Sequence, residues 1–217
     1  MEEINNKYKQ LCETPSDINE HLETLSFYAS KSNSIAELGV RGFVSTYALL
    51  DGLLKNNSEI KKIDCYDILP LEIPDNLNRC CFETNIDLTT HFAVSDLDVD
   101  ITDKVYDMIF IDTFHCYPHC YLELKKFEKR TNKFIILHDT EIDSETSECV
   151  RLGYEEQHYT TLINQYNGLG FTADDFKKGL KYALDRFLKE NIQWKIWSQA
   201  KNNNGLTILK YVDFSDF

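Results

Sequence analysis

The sequence predicts an α/β protein. Its centre is a mostly parallel, seven-stranded sheet with helices on both faces and a C-terminal antiparallel hairpin. Three observations predict this. Residues 34–51, SIAELGVRGFVSTYALLD, read as strand, glycine turn and helix in direct succession. Four more strand-like runs follow, separated by helical or polar stretches, and βα alternation implies right-handed crossovers and parallel pairing. Two last short strands, residues 193–198 and 206–212, flank KNNNG, whose residues tolerate positive φ, so the final pair is a hairpin.

The elements follow in order. Residues 1–12 are polar, and residues 1–32 read as an N-terminal helical segment. Ser16, after Pro15, is placed to cap a helix with the apolar stripe Ile18, Leu22, Leu25 and Ala29. Ile35, Ala36 and Leu38 form the first strand, and Val44, Tyr47, Ala48 and Leu50 begin the apolar face of the helix after it. Residues 60–68 are the second strand, carrying Asp67 near its end. Pro70 and Pro74 mark a loop, and residues 76–83 a short helix. The third strand, residues 88–94, alternates and runs into Ser95 and Asp96. Residues 105–112, VYDMIFID, hold a continuous apolar run, as a central strand covered on both faces requires. Tyr117, Tyr121, Leu124 and Phe127 then lie three and four apart, a helical spacing. Residues 133–139, KFIILHD, are the fifth strand.

Residues 141–190 read as an acidic and helical insertion, or lid, before the hairpin. Within it Thr172 opens a helix, with Asp175 in capping-box position. Phe176, Leu180, Ala183, Leu184, Phe187 and Leu188 form that helix's apolar face. The whole chain, residues 1–217, is expected to be one domain.

Composition narrows the function. A net charge of −13 argues against broad phosphate-backbone binding, so nucleic acid is an unexpected partner. No apolar run approaches the roughly 20 residues of a membrane span. The first residues lack the basic and apolar regions of a secretory signal, and the seven cysteines form no disulfide-scaffold pattern, which points to a reducing cytoplasm.

Sheets of this kind bind ligands beyond the carboxyl ends of their strands. The residues that end strands one, two, four and five are Glu37 with Gly39, Asp67, Asp112, and His138 with Asp139. All are expected along one edge, and that convergence predicts a site more strongly than any single motif. Gly39 can take positive φ, and Gly42 lets a backbone approach closely. The spacing is GxxG, not GxGxxG, so a dinucleotide pyrophosphate is not the obvious ligand.

ELGVRG, CYDI, VYDMIFID and FIILHD, with the closing hairpin, resemble the class I S-adenosylmethionine-dependent methyltransferases. A closer likeness is to a group of small members whose pattern runs TPSDINEHL, ELGVRG–ST, IDT–H, HDT and a late NNNGL. It covers nearly the whole chain. The resemblance implies a Rossmann-like fold and S-adenosylmethionine as cofactor. The turn, with Glu37, Gly39, Arg41, Gly42 and Ser45, would carry the cofactor's methionine part. Asp67 would accept from the ribose hydroxyls. Ser95 and Asp96 would lie by the adenine, and Asp112 would face the amino group or the acceptor. Arg41 is also a candidate fork for a substrate carboxylate or phosphate, against a solvated charge or an internal ion pair.

Methyl transfer to oxygen needs the acceptor's proton removed or a metal to lower its pKa. His115 and His138 are the candidate bases, with Asp112 beside them. Asp112 and Asp139 are two hard oxygen ligands on adjacent strand ends, where Mg²⁺ could sit. The expected acceptor is a small or saccharide-linked molecule, and a homodimer is a candidate assembly. HCYPHC, residues 115–120, pairs His115 with His119 and Cys116 with Cys120 at helical spacing, but nothing elsewhere completes a four-ligand zinc site. Tyr154, Tyr159 and Tyr166 are candidates for an acceptor pocket, against core packing as the simpler account. Two further readings stand beside the methyltransferase: a nicotinamide dinucleotide oxidoreductase, and a non-catalytic ligand-binding descendant of the fold.

Overall fold

A computed structural model describes residues 2–213. The elements run α1 (Glu2–Glu13), a 3-10 turn (Asn19–His21), α2 (Leu22–Ala29), β1 (Ser34–Leu38), α3 (Val44–Lys55), β2 (Lys61–Asp67) and α4 (Asp75–Glu83). They continue with β3 (Ile86–Phe92), β4 (Tyr106–Ile111), α5 (Tyr117–Phe127), β5 (Thr131–His138), α6 (Glu148–Arg151) and α7 (Thr160–Asn167). The last are α8 (Leu180–Glu190), β6 (Trp194–Ala200) and β7 (Leu206–Tyr211).

The seven strands form one sheet in the order β3-β2-β1-β4-β5-β7-β6. The pairs β3/β2, β2/β1, β1/β4 and β4/β5 are parallel, while β7 runs antiparallel to both β5 and β6. Successive strand residues face opposite sides, so the unbroken apolar run of β4 serves two cores. Met108 and Phe110 join the layer built by α1 to α4 with Leu22, Leu49 and Leu53. Ile109 and Ile111 join the opposite layer, where Leu124, Phe127, Leu184 and Phe187 pack from α5 and α8. Among the described residues no helix is long and apolar enough to cross a membrane, and all seven cysteines are unpaired.

Two expectations change. Thr172 and Asp175 do form a capping box, but it caps a 3-10 turn, Ala173–Lys177, and not the long helix. The segment around Asp143 intervenes. The N–H groups of Gly179, Leu180 and Lys181 donate to the carbonyls of Glu145, Asp143 and Ser144, so α8 starts afresh at Leu180. In the N-terminal segment, Ser16 Oγ accepts the Asn19 N–H at 3.0 Å, and the turn it opens is 3-10 before α2 begins.

Candidate active site

The parallel strands deliver Glu37, Asp67, Asp112, His138 and Asp139 to one end of the sheet. The chain turns sharply there. Gly39 has φ +85°, and a Cβ on it would lie 1.9 Å from the main-chain oxygen of Asp112, so the position needs glycine for both conformation and room. Arg41 and Phe43 also take positive φ, 46° and 63°, without being glycine. Such residues cost about 1–2 kcal/mol each and gather where function requires the shape. A Cβ at Gly42 would meet nothing within 4 Å.

Asp67 braces this turn. Its Oδ2 accepts the N–H groups of Val40 and Arg41 at 2.9 and 2.8 Å, and its Oδ1 that of Leu69 at 2.8 Å. A carboxylate offers about four acceptor positions, so one remains for a ligand. Glu37 sits beneath the turn, fully buried. It accepts the hydroxyls of Ser45 and Thr46 at 2.6 and 2.7 Å. Burial raises its carboxyl to about 7, despite the opposing pull of those hydroxyls. The Arg41 guanidinium pairs with Asp17 at 2.8 Å and is 76% exposed, so the internal ion pair forms and the group still reaches solvent.

Asp112, His138 and Asp139 place ligand-capable atoms within 4.8 Å of one another. His138 Nδ1 stands 3.3 Å from both Asp112 Oδ1 and Asp139 Oδ1. Its Nε2 is 3.1 Å from the Asp17 carbonyl and 3.3 Å from that of Asn203. Two acceptors there fix the proton on Nε2, which leaves Nδ1 to face the aspartates. Asp139 Oδ1 is buried without a hydrogen-bond partner.

His115 is ringed by acids. Its Nδ1 lies 3.1 Å from both Asp139 and Asp143 and 3.6 Å from Glu148, and its Nε2 lies 3.3 Å from Asp112. Burial alone would lower its pKa, but the bonds to Asp112 and Asp143 override that and raise it well above the ordinary value. His138 is raised against burial in the same way, chiefly by Asp112. Burial alone would raise Asp112; the two imidazoles instead hold it below the usual carboxylate range. Asp139 goes the other way, because burial dominates its balance. Arg151 braces Asp143 with two bonds, at 2.6 and 2.8 Å.

Other predicted residues lie elsewhere. Ser95 Oγ accepts the Leu97 N–H at 3.3 Å beside the rim. The Asp96 carboxylate is buried against His119 and Glu123. α5 begins only at Tyr117, so His115 precedes it and turns to a different cluster from His119, while Cys116 and Cys120 pack in the core. Tyr159 and Tyr166 are buried and stack on Phe176, so they are packing residues, not pocket walls; Tyr154 is exposed.

Sequence reasoning missed Asp143, Glu148 and Glu123. Asp143 and Glu148 stand in an acidic run that resembles a solvated loop. For Glu123 a signal existed: a lone acid in the helical stripe of Cys116, Cys120 and Phe127. The pairing of two distant motifs was also missed. Asn203 Oδ1 accepts the Glu20 N–H, and its Nδ2 donates to the Ser16 carbonyl. His21 Nε2 stands 3.0 and 3.1 Å from the carbonyls of Asn202 and Asn203. The TPSDINEH and NNNG segments therefore clasp each other beside His138.

This strand order with a closing antiparallel hairpin is the Rossmann-like fold of the class I S-adenosylmethionine-dependent methyltransferases. No protein-family model and no curated protein sequence matches the chain. Solved structures do. A Staphylococcus aureus protein described as a candidate caffeoyl-CoA O-methyltransferase is 15% identical over 96% of this chain and 91% of its own, with a TM-score of 0.53. The O-methyltransferase of Bacillus cereus, solved with S-adenosylhomocysteine, is 15% identical over 98% and 90%, with a TM-score of 0.50. TomG of Streptomyces achromogenes, an O-methyltransferase of tomaymycin synthesis solved with S-adenosylmethionine, is 13% identical over 92% and 82%, also with a TM-score of 0.50. At such identities the likeness is one of fold.

Proposed function

We propose that the protein is an S-adenosylmethionine-dependent methyltransferase acting on a hydroxyl of a small or saccharide-linked acceptor. The observation that carries this reading is the placing of the Asp112–His138–Asp139 cluster directly against the glycine turn, through the contact of Gly39 with the Asp112 main chain. α3 starts without a side-chain cap. Its first N–H groups, beyond the reach of intrahelical carbonyls, suit the carboxylate of the cofactor's methionine part. Asp67, with one acceptor position left, takes one ribose hydroxyl. Ser95 and the backbone that follows it take the adenine side.

Transfer breaks the methyl carbon's bond to sulfur and forms one to the acceptor oxygen, which loses its proton. The chain's work is to align the two and to deal with that proton. Asp112, Asp139 and His138 Nδ1 fit a divalent cation: two carboxylates, an imidazole nitrogen with its other nitrogen already committed, and a buried carboxylate oxygen lacking a partner. The carboxylates suit Mg²⁺; the nitrogen also suits Mn²⁺. Such an ion would lower the pKa of an acceptor hydroxyl. His138 is therefore assigned as a ligand and not as the base. His115 remains the base candidate. Its pKa is raised by the bonds to Asp112 and Asp143 against the effect of burial.

Calorimetric titration with S-adenosylhomocysteine tests the cofactor. Saturable one-to-one binding that competes with S-adenosylmethionine supports the reading; no heat at millimolar ligand, with the protein folded, removes it.

A further inference from the structure

A second cluster lies apart from the rim set, between the loop after β3 and α5. His119 and Glu123 stand one turn apart on α5, and Asp96 closes on them from the loop. They are 8%, 0% and 6% exposed. His119 Nε2 lies 3.2 Å from Glu123 Oε1 and 3.9 Å from Asp96 Oδ1. Ligand atoms on a tetrahedral ion, each at about 2.0–2.2 Å, stand roughly 3.3–3.6 Å from one another, and the two separations bracket that spacing.

Two atoms lack a partner. Asp96 Oδ2 and Glu123 Oε2 are both buried with no hydrogen bond. Side by side, bare carboxylates repel each other and pay for lost hydration. The neighbouring cation acts on Asp96 only through space and hydrogen-bonds neither carboxylate: Lys126 Nζ donates to the backbone carbonyls of Asp96 and Val99, at 2.6 and 2.5 Å. The surroundings meanwhile resemble the outer shell of a metal site. The Tyr166 hydroxyl holds His119 Nδ1 at 2.7 Å, and Thr113 Oγ1 donates to Glu123 Oε1 at 2.5 Å. A ligating histidine characteristically commits its second nitrogen in this way.

We propose that Asp96, His119 and Glu123 bind a divalent transition-metal ion of the zinc or manganese class, fastening the loop after β3 to α5. One imidazole and two carboxylates are a donor set that such ions accept. The Tyr166 contact extends the fastening to α7. The site does not depend on methyl transfer and stands whichever reaction the rim performs. The competing account is a proton in place of the metal: burial raises the Asp96 carboxyl to about 7, with Glu123 adding to the shift, so a protonated Asp96 would also quiet the cluster.

The test uses the full chain carrying Asp139→Asn, which disables the rim cluster; Asp112→Asn serves the same purpose if the first variant folds poorly. The protein is stripped with chelator and titrated with Co²⁺, read by visible absorption, and with Zn²⁺, read by calorimetry. About one equivalent should bind in this background and raise the thermal midpoint. Adding Glu123→Gln should abolish that binding, a loss beyond the roughly 10–100-fold expected of Tyr166→Phe, which removes only an outer-shell contact. Glu123→Gln keeps the side chain's shape and removes a buried charge, so the thermal melt in chelator shows whether it is folded. Zero equivalents bound by both rim variants overturns the proposal, and so does an equivalent that survives Glu123→Gln.

Discussion

Gly39 and Gly42 are three residues apart in one turn, and the same substitution should do opposite things at each. At Gly39, alanine must hold φ near +85° with its Cβ 1.9 Å from the Asp112 oxygen and 2.7 Å from the Asp112 carbonyl carbon. The left-handed conformation costs about 1–2 kcal/mol. The clash is with backbone at the end of the neighbouring strand, which cannot rotate away, and overpacking of this kind costs about 1–3 kcal/mol. Gly39→Ala should therefore lose about 2–5 kcal/mol and displace Asp112 as well. At Gly42 a Cβ meets nothing within 4 Å, so stability should move by about 0.5 kcal/mol or less. The same methyl projects where the ligand is expected, so S-adenosylhomocysteine affinity should fall at least about tenfold, or 1.4 kcal/mol. Urea unfolding followed by fluorescence, with Trp194 buried as a reporter, measures stability; calorimetry measures binding. The reasoning fails if Gly39→Ala unfolds at the wild-type midpoint, or if Gly42→Ala is destabilised as much as Gly39→Ala.

Three other outcomes follow from the geometry. Glu37 ionises near 7 when folded, against 4.5 otherwise. The folded state thus binds the extra proton, and stability drains away as pH rises from about 4.5 through 7, by about 3 kcal/mol in all. Glu37→Gln should flatten that slope in denaturant titrations at a series of pH values, and an unchanged slope refutes the assignment. Asp112→Asn and Asp139→Asn should each cut kcat about a hundredfold or more, and a chelator should do the same to the wild type until Mg²⁺ or Mn²⁺ is restored; turnover indifferent to chelator rules the ion out. Asn203→Ala loses two hydrogen bonds, to Glu20 and Ser16, and should cost about 1–3 kcal/mol. Hydrogen exchange should quicken at Glu20 specifically; protection unchanged there would mean the clasp contributes little.

Most of the sheet was legible because its strands are written as apolar runs between turn residues. Residues 105–112 read as a central strand for the same reason that β4 is one: Met108 to Ile111 has two faces to fill. The NNNG turn was equally plain, and Asn203, Asn204 and Gly205 do take positive φ. α7 escaped notice because TTLINQYN buries only Tyr166 and shows no clear stripe. The break before α8 was hidden because Phe176 and Leu180 keep helical spacing across it, while what interrupts the helix is a hydrogen-bonded partner segment more than thirty residues earlier. The rim was legible as a consequence of parallel strands. Which acids face His115, and that Asp96 turns inward, depends on rotamers and on loop packing that no local pattern encodes. The exposed pairing of Arg41 with Asp17 belongs to the same class.

The Asp67 carboxylate ties the glycine loop together by accepting the N–H groups of Val40 and Arg41, bonds made wholly within the chain. A cradle assembled before its guest arrives has little ordering left to do on association. Capture should then be quick, with small structural rearrangement, and the amides of Val40 and Arg41 should already exchange slowly with solvent in the absence of any ligand. Asp67→Asn, which cannot accept as many amides, should convert that ready-made receptacle into one that must be moulded around each arrival.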